Sequence, residues 1–451
     1  MSRANGENEP LLAARNGNAD EEDPSQQHEA DVKTRASVWG GILALFIAAL
    51  VVLLAFQDKL PEAVSPWLGR LPRDPALAAL TILDTAPVID GHIDLPILTR
   101  YYYANNVTAI DLEGNMPAHV DIPRLRQGKV GGFFWSVYVD CAAPKDEGED
   151  FVNSTWRVRD TLEQIDVARL LIDKYPDTFQ FALSTQDIQA AVRNGKIASL
   201  LGVEGAHQLG NSIAVLRQYY NLGVRYVTLT HTCHNAFADS CGLAHGKTPL
   251  HGGLSPLGRA LIDEMNRLGV LVDLSHTSDT TAIQALNYSQ APVIWSHSSA
   301  RAVNDHVRNV PDNVLKFVGT GEGQKDAVVM VNFAPSFVAP PGKATVSVVA
   351  DHVEHIAKIA GKKHVGLGSD FDGIPSGPAG LEDVSKYPAL VAELLRRGWS
   401  KRELAGLTGA NLLRVFEGAE RVSANLKAAG TQPAFDLYEK RPDLPARRNE
   451  L

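Results

Sequence analysis

The stretch APVIDGHIDLP, residues 86–96, governs the interpretation of the rest of this chain. An apolar run that includes Val88 and Ile89 leads into His92 and Asp94, which are separated by one residue. In an extended strand residues i and i+2 point to the same face, so both side chains would be directed at one point just beyond the strand. The pair suits a borderline cation such as zinc, but a single HxD pattern is weak unless other segments repeat it.

Composition excludes several classes of protein. The chain has 451 residues, of which 45% are apolar, enough for one large or two ordinary domains. A formal net charge of −9 argues against an electrostatic nucleic-acid site, so no nucleic-acid partner is expected. Three cysteines exclude a disulfide-dense scaffold but leave room for one pair.

The N-terminal part of the chain predicts a tail followed by a membrane anchor. Residues 1–36 are polar and are expected to be disordered, while residues 37–57 are expected to form a transmembrane helix. The nineteen residues from Val38 to Phe56 carry no charge, and as a helix they would measure about 28 Å, close to the thickness of a bilayer core. A cleaved signal peptide is the alternative, although it would need a shorter apolar region and an earlier start. Residues 58–84 then form a juxtamembrane linker.

Glycosylation sequons indicate on which side of the membrane the body of the chain lies. Asn106, Asn153 and Asn287 each begin an N-x-S/T motif C-terminal to the anchor. They favour a single-pass type II protein whose catalytic domain is lumenal or extracellular, in a vacuolar, endosomal or plasma membrane.

The remaining chain alternates apolar, strand-like runs with amphipathic helical segments. Such buried runs, interleaved with helices, are typical of parallel strands in βα units, and eight units predict a (β/α)8 TIM-like barrel over residues 85–425, followed by a C-terminal extension, 426–451. A doubly wound open sheet is the alternative, which periodicity cannot exclude. The predicted strands are residues 88–92, 132–139, 198–203, 225–230, 270–275, 293–296, 327–333 and 364–368.

Polar residues at the strand ends favour the barrel, because barrel active sites lie at the C-terminal ends of the strands. Six of the eight predicted strands are followed by a residue type that binds metals or transfers protons. These residues are His92 with Asp94, Glu204, His231, His276, His297 and Asp370. Their repetition at the same end of successive strands predicts a metal site.

The number of candidate ligands indicates two metal ions, although two imidazoles and two carboxylates could complete a single site. His92 and Asp94 would hold one ion, and His276 and His297 the other. Glu204 would be shared, because a carboxylate can bridge two cations where an imidazole normally cannot. Two ions lower the pKa of a shared water and stabilise developing negative charge.

Two strand-end residues remain for catalysis. Asp370 would orient the hydroxide between the ions and transfer its proton to a leaving amine. His231 would donate a hydrogen bond to the oxyanion of the tetrahedral intermediate.

These segments together resemble the membrane dipeptidase (renal dipeptidase) family of the amidohydrolase barrel superfamily. The resemblance covers about residues 87–416 and follows the order of the family's motifs. The matching motifs are VIDGHIDLP, GGFFWSVY, GVEGAHQL, GVRYVTLTHTCHN, GLSPLGRALIDEMNRLGVLVDLSHTS, APVIWSHSSAR, RNVPDN, VMVNF, GLGSDFDG and GLEDVSKYP.

The resemblance implies a dipeptidase with two zinc ions bridged by Glu204, with His231 and Asp370 as its catalytic residues. Arg308, in VRNVPDN, matches the arginine that binds the free carboxylate of the substrate, a role suited to a planar guanidinium. Cys141 and Cys233 match the positions of a family disulfide, and a homodimer is expected from the family alone.

Two other functions are alternatives to a dipeptidase, and one segment of the chain departs from the family's sequence pattern. The same barrel could hydrolyse another small amide, such as an N-acyl amino acid or a β-lactam, or the chain could be an inactive, membrane-anchored binding protein. The presence of every ligand argues against inactivity. Where family members commonly carry an aromatic residue after the VNF strand, this chain has Ala334 and Pro335, so its side-chain preference is expected to differ.

Overall fold

The computed structural model describes residues 24–55, 71–114, 116–141, 156–242 and 248–439. The chain divides into two compact units, Met1–Arg70 and Leu71–Leu451. In the described part of the first unit there is a helix, Pro24–Ala55. Within it, Val32–Val52 is long and apolar enough to cross a membrane, a property that a signal sequence near the N-terminus would share.

The helix begins earlier than predicted. Residues 24–36 were assigned to the disordered tail, whereas the helix already starts at Pro24. Its first turns contain Gln, Glu, Ala, Lys and Arg, which favour helix, and the apolar run extends the same helix. Residues 1–23 of the predicted tail lie outside the described residues.

The second unit is built on a parallel sheet with the strand order β1-β2-β4-β5-β6-β7-β8-β9, and all eight predicted strands form. A short additional strand, β3, pairs with β4 outside this path and was not predicted. The strands are β1 Val88–Ile93, β2 Val130–Val137, β3 Phe179–Phe181, β4 Ile197–Val203, β5 Val224–Thr228, β6 Leu271–Asp273, β7 Val293–Trp295, β8 Ala327–Val331 and β9 Val365–Leu367.

Contacts between the segments after β9 and β1 close the sheet into a barrel. Ile93 forms a parallel bridge with Phe371. The backbone N–H of Asp94 donates to the carbonyl of Phe371 at 2.8 Å, and that of Asp370 donates to the carbonyl of His92 at 3.1 Å. The barrel prediction is therefore confirmed, and the open-sheet alternative is wrong.

Helices surround the barrel and connect its strands. The α-helices in the described part of this unit are Pro75–Leu83, Leu95–Tyr103, Ile122–Gln127, Trp156–Lys174, Thr185–Arg193, Ile213–Leu222, Pro256–Leu268, Asp279–Tyr288, Asp312–Leu315, Pro335–Val338, Val346–Ala360, Tyr387–Arg396, Lys401–Ala405 and Asn411–Ala428.

The helix Pro256–Leu268 shows how the sequence sets these boundaries. Ser255 accepts a hydrogen bond from the backbone N–H of Gly258 at 3.0 Å, and Pro256 occupies the first turn, where no N–H is needed. Gly269 ends the helix with a φ of 83°, which glycine adopts without strain.

The packing of side chains inside the barrel positions His92, the first candidate ligand. A Cβ on Gly202 would lie 2.0 Å from the ring of Tyr226, so the missing side chain in β4 makes room for this ring from β5. The ring is fully buried, and its hydroxyl lies 2.8 Å from Nδ1 of His92. The barrel core therefore fixes the orientation of the first candidate ligand.

Candidate metal centre and active site

The strand-end residues predicted from the sequence come together at one end of the barrel. Nε2 of His276, after β6, and Nε2 of His297, after β7, are 3.0 Å apart. Glu204, after β4, contacts both imidazoles. It lines a cavity of about 420 Å³ together with Asp94, His231, His276 and Asp370, while His92 and His297 are buried.

The two carboxylate oxygens of Glu204 face different groups of ligands. Oε1 lies 3.0 Å from Nε2 of His276, 3.3 Å from that of His297 and 3.7 Å from that of His231. Oε2 lies 3.6 Å from Nε2 of His92, and that nitrogen is 3.2 Å from Oδ2 of Asp94. This arrangement suits a carboxylate shared between two cations.

Two of the histidines, His92 and His297, have a hydrogen-bond partner on Nδ1, and their Nε2 atoms are therefore the ones directed at Glu204. Nδ1 of His92 lies 2.8 Å from the hydroxyl of Tyr226, and Nδ1 of His297 lies 2.8 Å from Oγ of Ser296. The Ser296 hydroxyl in turn donates to Asp273 at 2.6 Å. Such partners on the other ring nitrogen fix the tautomer of a metal-binding histidine.

Sequence reasoning missed Tyr226 and Asp273 as supporting residues. Asp273 lies three residues before His276 in VDLSH, but the ligand that it supports through Ser296 is His297, so this spacing does not indicate its role. The role of Tyr226 depends on which side of β5 faces inward, and the sequence pattern of a fully buried strand does not show this.

The electrostatics of Glu204 and His92 are those of a buried pair of opposite charges. Burial acts to raise the pKa of Glu204, but His92, His231 and the other imidazoles lower it well below its ordinary value. Burial acts to lower the pKa of His92, yet Tyr226, Asp94 and Glu204 raise it well above its ordinary value. The centre therefore stabilises a positive charge beside Glu204.

The other histidines of the site are held neutral. Burial lowers the pKa of His276, with a further contribution from the nearby Arg308 cation, and burial and the neighbouring His92 lower that of His297. Burial also lowers the pKa of His231. Neutral imidazoles are the form that binds metal ions.

Asp370 lies at the edge of the centre. Its Oδ2 accepts a hydrogen bond from Nδ2 of Asn332 at 2.8 Å. Burial and the neighbouring Asp94 raise its pKa well above the ordinary value. Asp370 forms a compact group with His92 and His297, as His231 does with Glu204 and His276, each with donor atoms within 4.8 Å of one another. Both residues predicted to be catalytic are therefore also close enough to contribute to metal binding.

Arg308 lies behind the histidines and does not line the cavity of 420 Å³. It is buried, with Nη2 donating to the carbonyl of His297 at 3.2 Å and Nη1 to Oγ of Ser298 at 3.4 Å. Its Cζ lies 5.5 Å from the ring centroid of Phe337, which does line the cavity. The guanidinium is thus one side chain away from the cavity.

The rim of the site carries the predicted disulfide. Cys141, after β2, is bonded to Cys233, after β5. The bond joins the loop of Tyr138, whose ring lies 4.7 Å from that of His231, to the loop of His231 itself. The disulfide that the family resemblance implied is confirmed.

Comparison with known proteins gives this site a family. Residues 77–430 match the family described as membrane dipeptidase (peptidase family M19). The dipeptidase aclJ of Aspergillus oryzae is 44% identical over 404 residues, which cover 87% of this chain and 92% of that protein. An uncharacterised dipeptidase of Schizosaccharomyces pombe is 49% identical over 347 residues, which cover 76% of this chain and 82% of that protein.

Solved structures agree with this result. A metallopeptidase from Rhodobacter sphaeroides, liganded with a phosphinate mimic of the dipeptide L-Ala-D-Ala, is 25% identical with a TM-score of 0.64, covering 74% of this chain and 99% of that chain. The probable dipeptidase PvdM from Pseudomonas aeruginosa, 23% identical, shares the fold with a TM-score of 0.69 over 78% of this chain and 100% of that chain. This chain therefore belongs to the membrane dipeptidase family, peptidase family M19, and is a metallo-dipeptidase.

Proposed function

We propose that this chain hydrolyses dipeptides with two zinc ions held by His92, Asp94, Glu204, His276 and His297. The observation that carries the proposal is the convergence of four imidazoles on the carboxylate of Glu204 at the cavity. The Rhodobacter metallopeptidase was solved with a dipeptide mimic, which supports a dipeptide as the substrate.

The chemistry of these residues fits metal ions. Oδ1 of Asp94 is buried without a hydrogen-bond partner among the described residues, and Nε2 of His92 makes only carboxylate contacts that lack hydrogen-bond geometry, at 3.2 and 3.6 Å. Both are costly unless a cation binds there. Nε2 of His276 faces Nε2 of His297 at 3.0 Å, so two lone pairs oppose each other unless one nitrogen is protonated or a cation intervenes. Imidazole nitrogen and carboxylate oxygen together are ligands typical of zinc.

The two oxygens of Glu204 support a division of the ligands into two sets. His92 and Asp94 would hold one ion on the side of Oε2, and His276 and His297 the other on the side of Oε1. When bound, the ions would polarise the scissile carbonyl and lower the pKa of the attacking water.

Asp370 and His231 supply the proton transfer and the hydrogen bond that the reaction needs. Asp370, oriented by Asn332, would accept a proton from the attacking water and deliver it to the nitrogen of the leaving amino acid. His231 lines the cavity, and it would donate a hydrogen bond to the carbonyl oxygen as negative charge develops there.

Arg308 would bind the free carboxylate of the dipeptide. Its Nε has no hydrogen-bond partner among the described residues, and the contacts of Nη1 and Nη2, at 3.4 and 3.2 Å, are long. A substrate carboxylate offers shorter, charge-assisted bonds to the same fork of donors. This interaction requires the guanidinium, or the Phe337 ring beside it, to shift toward the cavity.

We further propose that the helix of the first unit anchors the enzyme as a type II membrane protein with the catalytic domain lumenal or extracellular. The Cys141–Cys233 disulfide supports an oxidising compartment. Of the predicted sequons, Asn106 and Asn287 are exposed, and Asn153 lies outside the described residues. Glycosidase treatment of the protein from a eukaryotic host should reduce its apparent mass, and Asn106→Gln should remove part of that shift.

The experiment that tests the activity uses the full chain in detergent, with metal counted per chain. Unblocked L-Ala-L-Ala should be hydrolysed, the activity should disappear after chelation, and zinc should restore it at about two ions per chain. Asp370→Asn should retain metal but lose most of kcat, because an amide cannot carry the proton. Hydrolysis that survives complete metal removal would refute the metal mechanism. Cleavage of N-acetyl-L-alanine or a β-lactam in place of the dipeptide would identify another amidase.

A further inference from the structure

The turn that carries Asp370 has an uncommon backbone conformation. Asp370 has a φ of 67° and Asp372 a φ of 68°, both in the left-handed region. Residues other than glycine adopt this region at an energetic cost, so surrounding contacts must hold such a turn in place. The catalytic carboxylate therefore depends on groups outside the turn for its position.

His119 supplies such contacts through a reciprocal pair of hydrogen bonds with Asp372. The backbone N–H of His119 donates to Oδ1 of Asp372 at 2.8 Å, and the backbone N–H of Asp372 donates to Nδ1 of His119 at 3.1 Å. The imidazole also stacks on Phe371, with ring centroids 5.2 Å apart and planes 24° apart. The side chain of His119 is only 9% exposed and does not line the cavity, so it is not placed to bind substrate, whereas Asp372 does line the cavity.

Backbone hydrogen bonds connect this turn to the ligand-bearing segment after β1. The N–H of Asp370 donates to the carbonyl of His92, and the carbonyl of Phe371 accepts the N–H of Asp94. The N–H of Gly373 donates to the carbonyl of Asp370 at 3.1 Å. A shift of the turn at Asp372 would therefore be passed to Asp370, whose side chain is held from the other side by Asn332.

We propose that His119 is a positioning residue for the dipeptidase reaction, acting through Asp372 to hold Asp370 at the metal centre. The proposal rests on the function of Asp370 proposed above. His119 lies 253 positions from Asp372 in the chain and outside the strand-end pattern, so the sequence alone does not indicate this role.

Two substitutions separate the hydrogen bond from the packing of the ring. His119→Phe keeps the ring on Phe371 and the backbone N–H, but it removes the acceptor for the N–H of Asp372. His119→Asn loses the ring but places an amide oxygen where Nδ1 lies. His119→Phe should lower kcat for L-Ala-L-Ala about 10- to 100-fold, with KM within about twofold and the metal content unchanged, whereas His119→Asn should retain most of kcat.

An Asp370→Asn background tests whether His119 acts through Asp370. There, His119→Phe should cause no further loss of kcat, because the group that His119 positions is already inactive. If His119→Phe does not fold, His119→Leu removes the same acceptor with a smaller side chain and carries the same expectation.

The outcomes distinguish this inference from the proposed function. A wild-type kcat for His119→Phe, equal losses in His119→Phe and His119→Asn, or an additional loss in the Asp370→Asn background would overturn the positioning role alone. An inactive wild-type enzyme, or a fully active Asp370→Asn variant, would overturn the proposed function together with this inference.

Discussion

Adding a single methyl group at Gly373 should reduce catalysis without preventing folding. A Cβ at this position would lie 2.2 Å from Oδ2 of Asp94 and 2.7 Å from Oδ1 of Asp370. Both atoms are ends of side chains, so Gly373→Ala can be accommodated by moving the two carboxylates rather than the backbone. We therefore expect the variant to fold and to lose activity.

The distances set the size of the effect. Ordinary contact of a Cβ begins at about 3.4 Å, so Oδ2 of Asp94 must retreat by about 1.2 Å and Oδ1 of Asp370 by about 0.7 Å. Displacement of a reacting group by about 1 Å costs about 100-fold in rate. Because Asp94 is also a proposed ligand, the affinity for one of the two metal ions should fall as well.

Steady-state hydrolysis of L-Ala-L-Ala, metal analysis and thermal unfolding of the full chain test this expectation together. Gly114→Ala is a matched control, because its Cβ would lie 3.0 Å from Oδ2 of Asp111, an aspartate on the surface and away from the cavity. We expect the two variants to melt at similar temperatures and only Gly373→Ala to lose turnover. Wild-type kcat and metal content in Gly373→Ala would show that the catalytic centre does not depend on the observed positions of Asp94 and Asp370.

Two further predictions concern substrate binding and acid stability. Arg308→Lys replaces a bidentate hydrogen-bond donor by a point charge, so it should raise KM for dipeptides about 10- to 100-fold with kcat little changed. An unchanged KM in steady-state assays would show that Arg308 does not bind the substrate. Burial lowers the pKa of His207 from 6.5 to about 3, so between these values the unfolded chain binds a proton that the folded chain does not, and stability is lost as the pH falls below 6.5. At pH 5 this residue should cost about 2 kcal/mol. His207→Gln should therefore weaken the fall in melting temperature between pH 7 and pH 5, and the same slope in both proteins would contradict the assignment.

The strands of the barrel could be predicted because strands buried on both faces appear as continuous apolar runs. Each of the eight predicted runs contains a strand, although β5, β6, β7, β8 and β9 are shorter than predicted. β3 was missed because Gln180 interrupts Phe179–Phe181, so these residues do not form the continuous apolar run that indicates the other strands. The first helix starts at Pro24, before the apolar run, because the polar residues there favour helix although their composition is also typical of a disordered tail.

The meeting of the ligands at one end of the barrel could be predicted for a related reason. In a parallel barrel all strands end on the same face, so a histidine or carboxylate after each strand must approach the others. His276 and His297 illustrate this, because the structure places their Nε2 atoms 3.0 Å apart. The sequence could not show that Arg308 lies buried behind them, since a loop residue has no periodicity that determines its direction.

The amino-acid sequence by itself therefore determined the fold class, the family and the residues that surround the centre, because strand ends are local features of a periodic pattern. Only the tertiary structure decided which oxygen of Glu204 faces which histidine, that Tyr226 orients His92 and that His119 supports the turn of Asp370. These contacts join residues far apart in the chain, 134 positions in the case of His92 and Tyr226, and closure of the barrel brings them together. Their geometry depends on side-chain direction and packing, which local sequence periodicity does not encode.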